Sequence, residues 1–120
     1  MKMQLSSSIN EYLNKEEYLI KTLAQIRRDF EMSGSTFEGE FNEMINYQAL
    51  LNLVYENIYS FFQGNSSLLK NLLYRIDISQ KAIQQRMFDR SDDQIEEVIC
   101  QLIIERCILK VLTKEKFSKS

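Results

Sequence analysis

The chain has 120 residues, of which 44 % are hydrophobic and 27 % are charged, and its net charge is −2. This composition is that of one globular domain and excludes a disordered chain. The sequence contains no His, Pro or Trp and only three Gly, so few residues interrupt a helical pattern. The net negative charge disfavours proteins whose affinity comes from neutralising phosphates or anionic lipids.

Three capping boxes and the apolar periodicity predict five α-helices. In a capping box a Ser accepts a hydrogen bond from the amide three residues on, and a Glu or Gln reaches back to the amide of the Ser. The boxes are Ser8-x-x-Glu11, Ser35-x-x-Glu38 and Ser91-x-x-Gln94. The predicted helices run from about Ile9 to Met32, Phe37 to Gln63, Leu68 to Ile76, Gln80 to Phe88 and Asp92 to Thr113.

These elements predict an all-α fold, a compact five-helix bundle that forms a single domain over residues 1–120. The first two helices are expected to form a long hairpin, followed by two short helices and one long apolar C-terminal helix. Between Glu38 and Ser60 the sequence has four acidic residues and no Lys or Arg, so the exposed strip of the second helix is expected to be acidic. Residues 1–7 and 114–120 are expected to be frayed.

No targeting or membrane-spanning segment is recognised. Residues 1–8 lack the apolar core of about 7–15 residues that a secretory signal requires. The most apolar stretch, residues 98–112, is interrupted by Glu105, Arg106 and Lys110 and is too short to span a bilayer. We therefore expect a cytoplasmic protein with no membrane partner.

The fifth predicted helix is apolar on nearly every side between Val98 and Leu112. A helix of this kind is normally buried all round. Either the other four helices surround it, or part of it faces a second copy of the chain. We favour the second arrangement, a homodimer formed through this helix, the second helix or both, with Ile104, Ile108 and Val111 on its outer side.

The sequence offers little catalytic or metal-binding chemistry. Without His, neither a Glu-x-x-His metal pair nor a His-activated nucleophile is possible. Two groups of carboxylates lie where helices are predicted to begin, a position that favours acidic residues on electrostatic grounds alone. No catalytic, cofactor or metal site is therefore predicted. The carboxylates are Glu38, Glu40 and Glu43, and Asp92, Asp93, Glu96 and Glu97.

The two cysteines, Cys100 and Cys107, are seven residues apart on one predicted helix. That spacing separates them by about 10 Å along the helix axis, which is too far for a disulfide. They are interpreted as small buried hydrophobic residues in a reducing compartment.

Nucleic-acid binding is the alternative function, through the helix–turn–helix outline of residues 68–88. Its second helix offers residues of the types that read base edges or grip phosphate. Against this, the turn lacks the frequent Gly and the chain as a whole is acidic. The candidate contacts are Lys81, Gln84, Gln85 and Arg86.

The preferred function is a non-enzymatic protein–protein interaction module that self-associates, as an adaptor or a small subunit of a complex. Four tyrosines fall at or beyond the edges of the apolar stripes, and Tyr is among the residues that most often anchor interfaces. Tyrosines of this kind also cover core edges with the hydroxyl in water. The predicted contacts are Tyr18, Tyr47, Tyr59 and Tyr74, together with Ile104, Ile108 and Val111.

Overall fold

The computed structural model describes residues 9–64 and 66–118, and within these ranges it contains six helices and no strand. The predicted all-α class is confirmed. Ser8 of the first capping box and residues 1–7 lie outside the described residues. The helices are α1 (residues 9–13), α2 (Glu16–Met32), α3 (Tyr47–Gly64), α4 (Ser66–Ile76), α5 (Gln80–Asp89) and α6 (Ile95–Ser118).

Helix α6 lies at the centre of the fold. It packs most extensively against α2 and also contacts α3, α4 and α5. Its side chains are therefore covered on all sides, as a helix without a polar face requires. Those that are at most 8 % exposed are Val98, Ile99, Cys100, Gln101, Leu102, Ile103, Ile104, Cys107, Ile108 and Val111.

The expectation that Ile104, Ile108 and Val111 face outwards is wrong. Ile104 and Ile108 are 0 % exposed and Val111 is 7 % exposed within a single chain. The chain's own helices cover the apolar residues of α6 from Val98 to Val111, and the exposed apolar side chains of this helix, Ile95 and Phe117, lie near its two ends.

The first predicted helix is interrupted before residue 16. Lys15 has an extended backbone (φ −109°, ψ 123°) and precedes α2. Its amide donates to the Tyr12 carbonyl, three residues back, which closes the preceding turn at 3.0 Å. The break falls in the polar run Asn14-Lys15-Glu16-Glu17, where no apolar residue anchors a continuous helix to the core.

The second predicted helix begins at Tyr47, ten residues after the predicted start at Phe37. The prediction that Ser35 caps this helix is therefore wrong. Residues 35–46 contain no helix, and the Ser35 hydroxyl donates to the Phe30 carbonyl at 3.3 Å. Asn46 caps α3 instead, because its side-chain oxygen accepts from the Ala49 amide at 2.8 Å. Gly39 lies in the left-handed region (φ +101°), which also opposes helix formation there.

The C-terminal helix is shifted towards the C-terminus relative to its prediction. It begins at Ile95 rather than Asp92, since the Gln94 carbonyl accepts from the Val98 amide at 3.0 Å. The capping box predicted at Ser91 therefore does not mark the start of this helix, and Asp93, which precedes it, accepts a hydrogen bond from the Gln101 side chain at 3.0 Å.

Helix α6 continues through residue 118, beyond the predicted end at Thr113 and into the segment where fraying is expected. The Lys114 ammonium donates to the Gln25 side-chain oxygen at 2.6 Å. Glu115 accepts from the Tyr18 hydroxyl at 2.9 Å and also from Lys21. These contacts tie the last turns of α6 to α2.

Candidate interaction surface

The four tyrosines predicted as contacts divide into two pairs. Tyr18 and Tyr47 are half-buried, and Tyr59 and Tyr74 are exposed. The hydrogen bond from Tyr18 to Glu115 is the main reason that the pKa of Tyr18 is raised. Burial raises the pKa of Tyr47 to about 12. Tyr18 and Tyr47 therefore belong to the edge of the core, which leaves Tyr59 and Tyr74 as surface aromatics.

Tyr59 belongs to a stacked pair on the outer side of α3. Its ring lies 6.0 Å from that of Tyr55, with 29° between the ring planes. Both rings are exposed, Tyr55 by 37 % and Tyr59 by 46 %. A pair of exposed aromatic rings one turn apart offers a large contact area at a small cost in side-chain entropy.

The outward face of α3 is almost free of charge, and we call it the α3 strip. Its opposite face is buried through Leu50, Val54, Ile58 and Phe61. Glu56 is the one charged residue of the whole helix. The exposed residues of the strip are Gln48, Asn52, Tyr55, Glu56, Tyr59, Ser60 and Gln63.

The prediction that the exposed strip of this helix is acidic is therefore wrong. Of the four acidic residues between Glu38 and Ser60, Glu38, Glu40 and Glu43 lie in the segment before α3, and only Glu56 remains on the helix. Because α3 starts late, these three carboxylates are not part of the helix. What remains is a surface of amides, hydroxyls and aromatic rings.

The residues of the nucleic-acid alternative are only partly available to a ligand. Lys81, Gln84 and Gln85 are exposed on α5. Arg86 instead forms a bidentate ion pair with Glu105 of α6, with N–O distances of 2.9 and 2.7 Å. It also donates to Gln101 at 3.2 Å. Lys81 is thus the one cation of α5 that is not held by α6.

Helices α4 and α5 are arranged around α6 rather than against each other. Helix α5 packs mainly on α6, and α4 packs on α3, α2 and α6. The turn between them contains Asp77, whose backbone lies in the left-handed region (φ 66°). Ser79 then caps α5, because its side-chain oxygen accepts a hydrogen bond from the Ala82 amide at 3.1 Å. The two helices of residues 68–88 lie close to their predicted bounds, but each packs mainly on other helices rather than on its neighbour, as a helix–turn–helix pair would.

Cys100 and Cys107 are free thiols and fully buried, and burial raises the pKa of Cys100 to about 12 and also raises that of Cys107. Among residues 9–64 and 66–118, no group of three His, Cys, Asp or Glu side chains is placed to hold a metal ion. In the same part of the chain, none of the helices combines the length and apolarity needed to cross a membrane.

Comparison of the chain with protein-family models, with curated proteins and with solved structures gives no match. Function is therefore inferred from the surface itself. The α3 strip was only partly visible in the sequence, because its low charge appears only when the start of α3 is known.

Proposed function

We propose that the chain is a non-enzymatic interaction module that self-associates through the α3 strip. The supporting observation is the composition of this face: α3 has 18 residues, one charge and a stacked pair of exposed tyrosines. Depletion of charged residues and enrichment of Tyr distinguish the centres of interfaces from the rest of a protein surface. At 1.5 Å per residue the strip, from Gln48 to Gln63, is about 23 Å long.

A second copy of the chain suits the chemistry of the strip. A two-fold dimer brings the same patch of both subunits together, so a strongly charged patch repels itself. The strip has a single charged residue, Glu56. Its side-chain amides both donate and accept hydrogen bonds; within one chain, Gln48 Nε2 donates to Asn52 Oδ1 at 3.0 Å. An isologous contact therefore lets the amides of the two copies pair with each other and brings only one like-charged pair, the two Glu56 carboxylates, into the same interface.

The test is the double substitution Tyr55→Lys/Tyr59→Lys, with mass measured by size exclusion and light scattering. Wild type is expected to show twice the mass of one chain, and the double variant the mass of one chain. Both rings are exposed and Lys is a good helix former, so the circular dichroism spectrum should be unchanged and the urea midpoint should match that of wild type diluted until it is monomeric.

The matched control is Tyr74→Lys, which introduces the same side chain at a tyrosine of α4 that is 90 % exposed. This variant should remain a dimer. A wild-type chain that is monomeric at every concentration would contradict the proposal, as would equal dissociation by the control.

A further inference from the structure

The segment between α2 and α3 is held by side chains that bind its backbone at three successive residues. Arg27 of α2 donates to the Phe37 carbonyl at 3.1 Å and also to the Gly39 carbonyl. Asn57 of α3 binds both backbone groups of Glu38: its oxygen accepts from the amide and its nitrogen donates to the carbonyl, each at 2.8 Å. The backbone is thus recognised independently of its side chains.

One side chain of the same segment fills an apolar pocket. Phe37 is 4 % exposed and its ring meets that of Phe30 edge-on, with ring centres 5.0 Å apart. Phe61 stacks on Phe30 from α3 at 6.1 Å. The Arg27 guanidinium lies 5.4 Å from the centre of the Phe37 ring, so this one side chain binds both the backbone and the ring.

The side chains around this segment form a cleft between α2 and α3, lined by Arg27, Phe30, Leu53, Asn57 and Phe61. The residues after Phe37 fit this cleft in size and charge. Gly39 has φ +101°, and a Cβ there would lie 2.9 Å from Leu53 Cδ2 of α3. Glu40 forms an ion pair with Arg27 at 3.5 Å. The cleft therefore accepts a Phe, an extended residue, a Gly that approaches α3 closely, and an acidic residue.

Hydrogen bonds to an extended backbone combined with a pocket for one side chain are the means by which proteins bind peptides. We propose that the cleft between α2 and α3 is a binding site for an extended segment of a partner protein with a Phe-x-Gly-acidic sequence. Residues 37–40 occupy the cleft as an internal ligand. Because tethering gives such a ligand an effective concentration on the order of millimolar, an external peptide binds only weakly until the internal one is displaced.

The experiment loosens the internal ligand and leaves the cleft intact. Gly39→Val places a Cβ against Leu53 and in a disfavoured backbone region, without altering Arg27, Asn57 or the Phe37 pocket. The probe is a fluorescent peptide of residues 35–41, Ser-Thr-Phe-Glu-Gly-Glu-Phe, followed by anisotropy. It should bind the variant at least about ten-fold more tightly than it binds wild type.

Two controls establish which contacts carry the binding. A peptide with Ala in place of its first Phe should not bind, and Asn57→Ala in the Gly39→Val background should weaken binding about ten-fold, the loss expected for two hydrogen bonds. If Gly39→Val fails to fold by circular dichroism, Glu38→Pro takes its place, because it removes the amide that donates to Asn57.

The wild-type chain supplies a test that requires no variant. Excess peptide should shift the side-chain amide resonances of Asn57, and the Ala-substituted peptide should not. The proposal is overturned if folded variants do not bind the peptide, if both peptides bind equally, or if the Asn57 resonances do not respond.

Discussion

Asp29 is a fully buried carboxylate that joins three helices. It accepts from Arg75 of α4 at 3.1 Å and from Lys110 of α6 at 3.0 Å. Gln25 donates to it at 3.2 Å and the Cys107 thiol at 3.5 Å. Nothing in the local sequence pattern around Asp29 shows that α4 and α6 bring these cations to it.

Asp29→Asn should lower the free energy of unfolding by about 3 kcal/mol, the lower end of the range for breaking a buried pair. The lower end applies because Arg75 and Lys110 are 33 % and 29 % exposed and keep some contact with water. Urea denaturation measures the loss. Asp77→Asn is the matched control: Asp77 pairs with Arg106 but is 87 % exposed, and Asn tolerates its positive φ, so the change should be under about 0.5 kcal/mol.

Ile104 is the residue for which the structure most clearly changes the expectation drawn from the sequence. If Ile104 faced outwards, Ile104→Ala would hardly change the free energy of unfolding. Because the side chain is fully buried, the substitution should lower that free energy by about 3 kcal/mol, through lost apolar burial and the cavity that it leaves. Ile20→Ala, at a position 50 % exposed, is the control and should change stability little. Equal urea midpoints for the two variants would place Ile104 outside the core.

At the scale of elements, α5 is attached to α6 by the ion pair between Arg86 and Glu105. The pair is bidentate and its side chains are 18 % and 25 % exposed, so it is more protected from solvent than a surface pair. Arg86→Ala should lower stability by about 1.5 kcal/mol, the value typical of hydrogen bonds to charged groups. Lys81→Ala on the same helix should have no measurable effect. If instead both substitutions weakened binding to duplex DNA without affecting stability, the nucleic-acid alternative would gain support.

The sequence predicted the bounds of a helix well where a local pattern sets them, and poorly where contacts with residues distant in the chain set them. Helices α4 and α5 lie close to their predicted bounds because apolar periodicity and a Ser cap mark them. The start of α3 was missed because Ser35-x-x-Glu38 satisfies a capping rule locally, whereas Arg27 and Asn57 hold the segment extended from neighbouring helices. For the same reason the low charge of the α3 strip could not be read from the sequence.

At the scale of the whole molecule, the two thiols report how tightly the bundle is closed. Burial raises the pKa of Cys100 from its ordinary value of 9.0 to about 12 and raises that of Cys107. Both should therefore be protonated and inert to a disulfide reagent at pH 8, and should react rapidly in urea. Rapid reaction of either thiol in the native protein would show that α6 is not enclosed by its own chain.

The same burial determines how stability depends on pH. The folded thiols keep their protons at a pH where the unfolded thiols have lost theirs, so the unfolded state binds fewer protons between about pH 9 and 12. The free energy of unfolding should accordingly fall as pH rises through this window. Urea midpoints measured at pH 8 and pH 10 test this, with a Cys100→Ala variant expected to show a smaller fall.

Because α6 is enclosed by the chain's own helices, the face proposed for self-association is the α3 strip. Ring protons of the exposed tyrosines report this directly, through their relaxation by a soluble paramagnetic agent along a dilution series. We expect Tyr55 and Tyr59 to become protected as concentration rises while Tyr74 stays accessible throughout. If Tyr55 and Tyr59 remain as accessible as Tyr74 at every concentration, the strip is not an interface between copies of this chain.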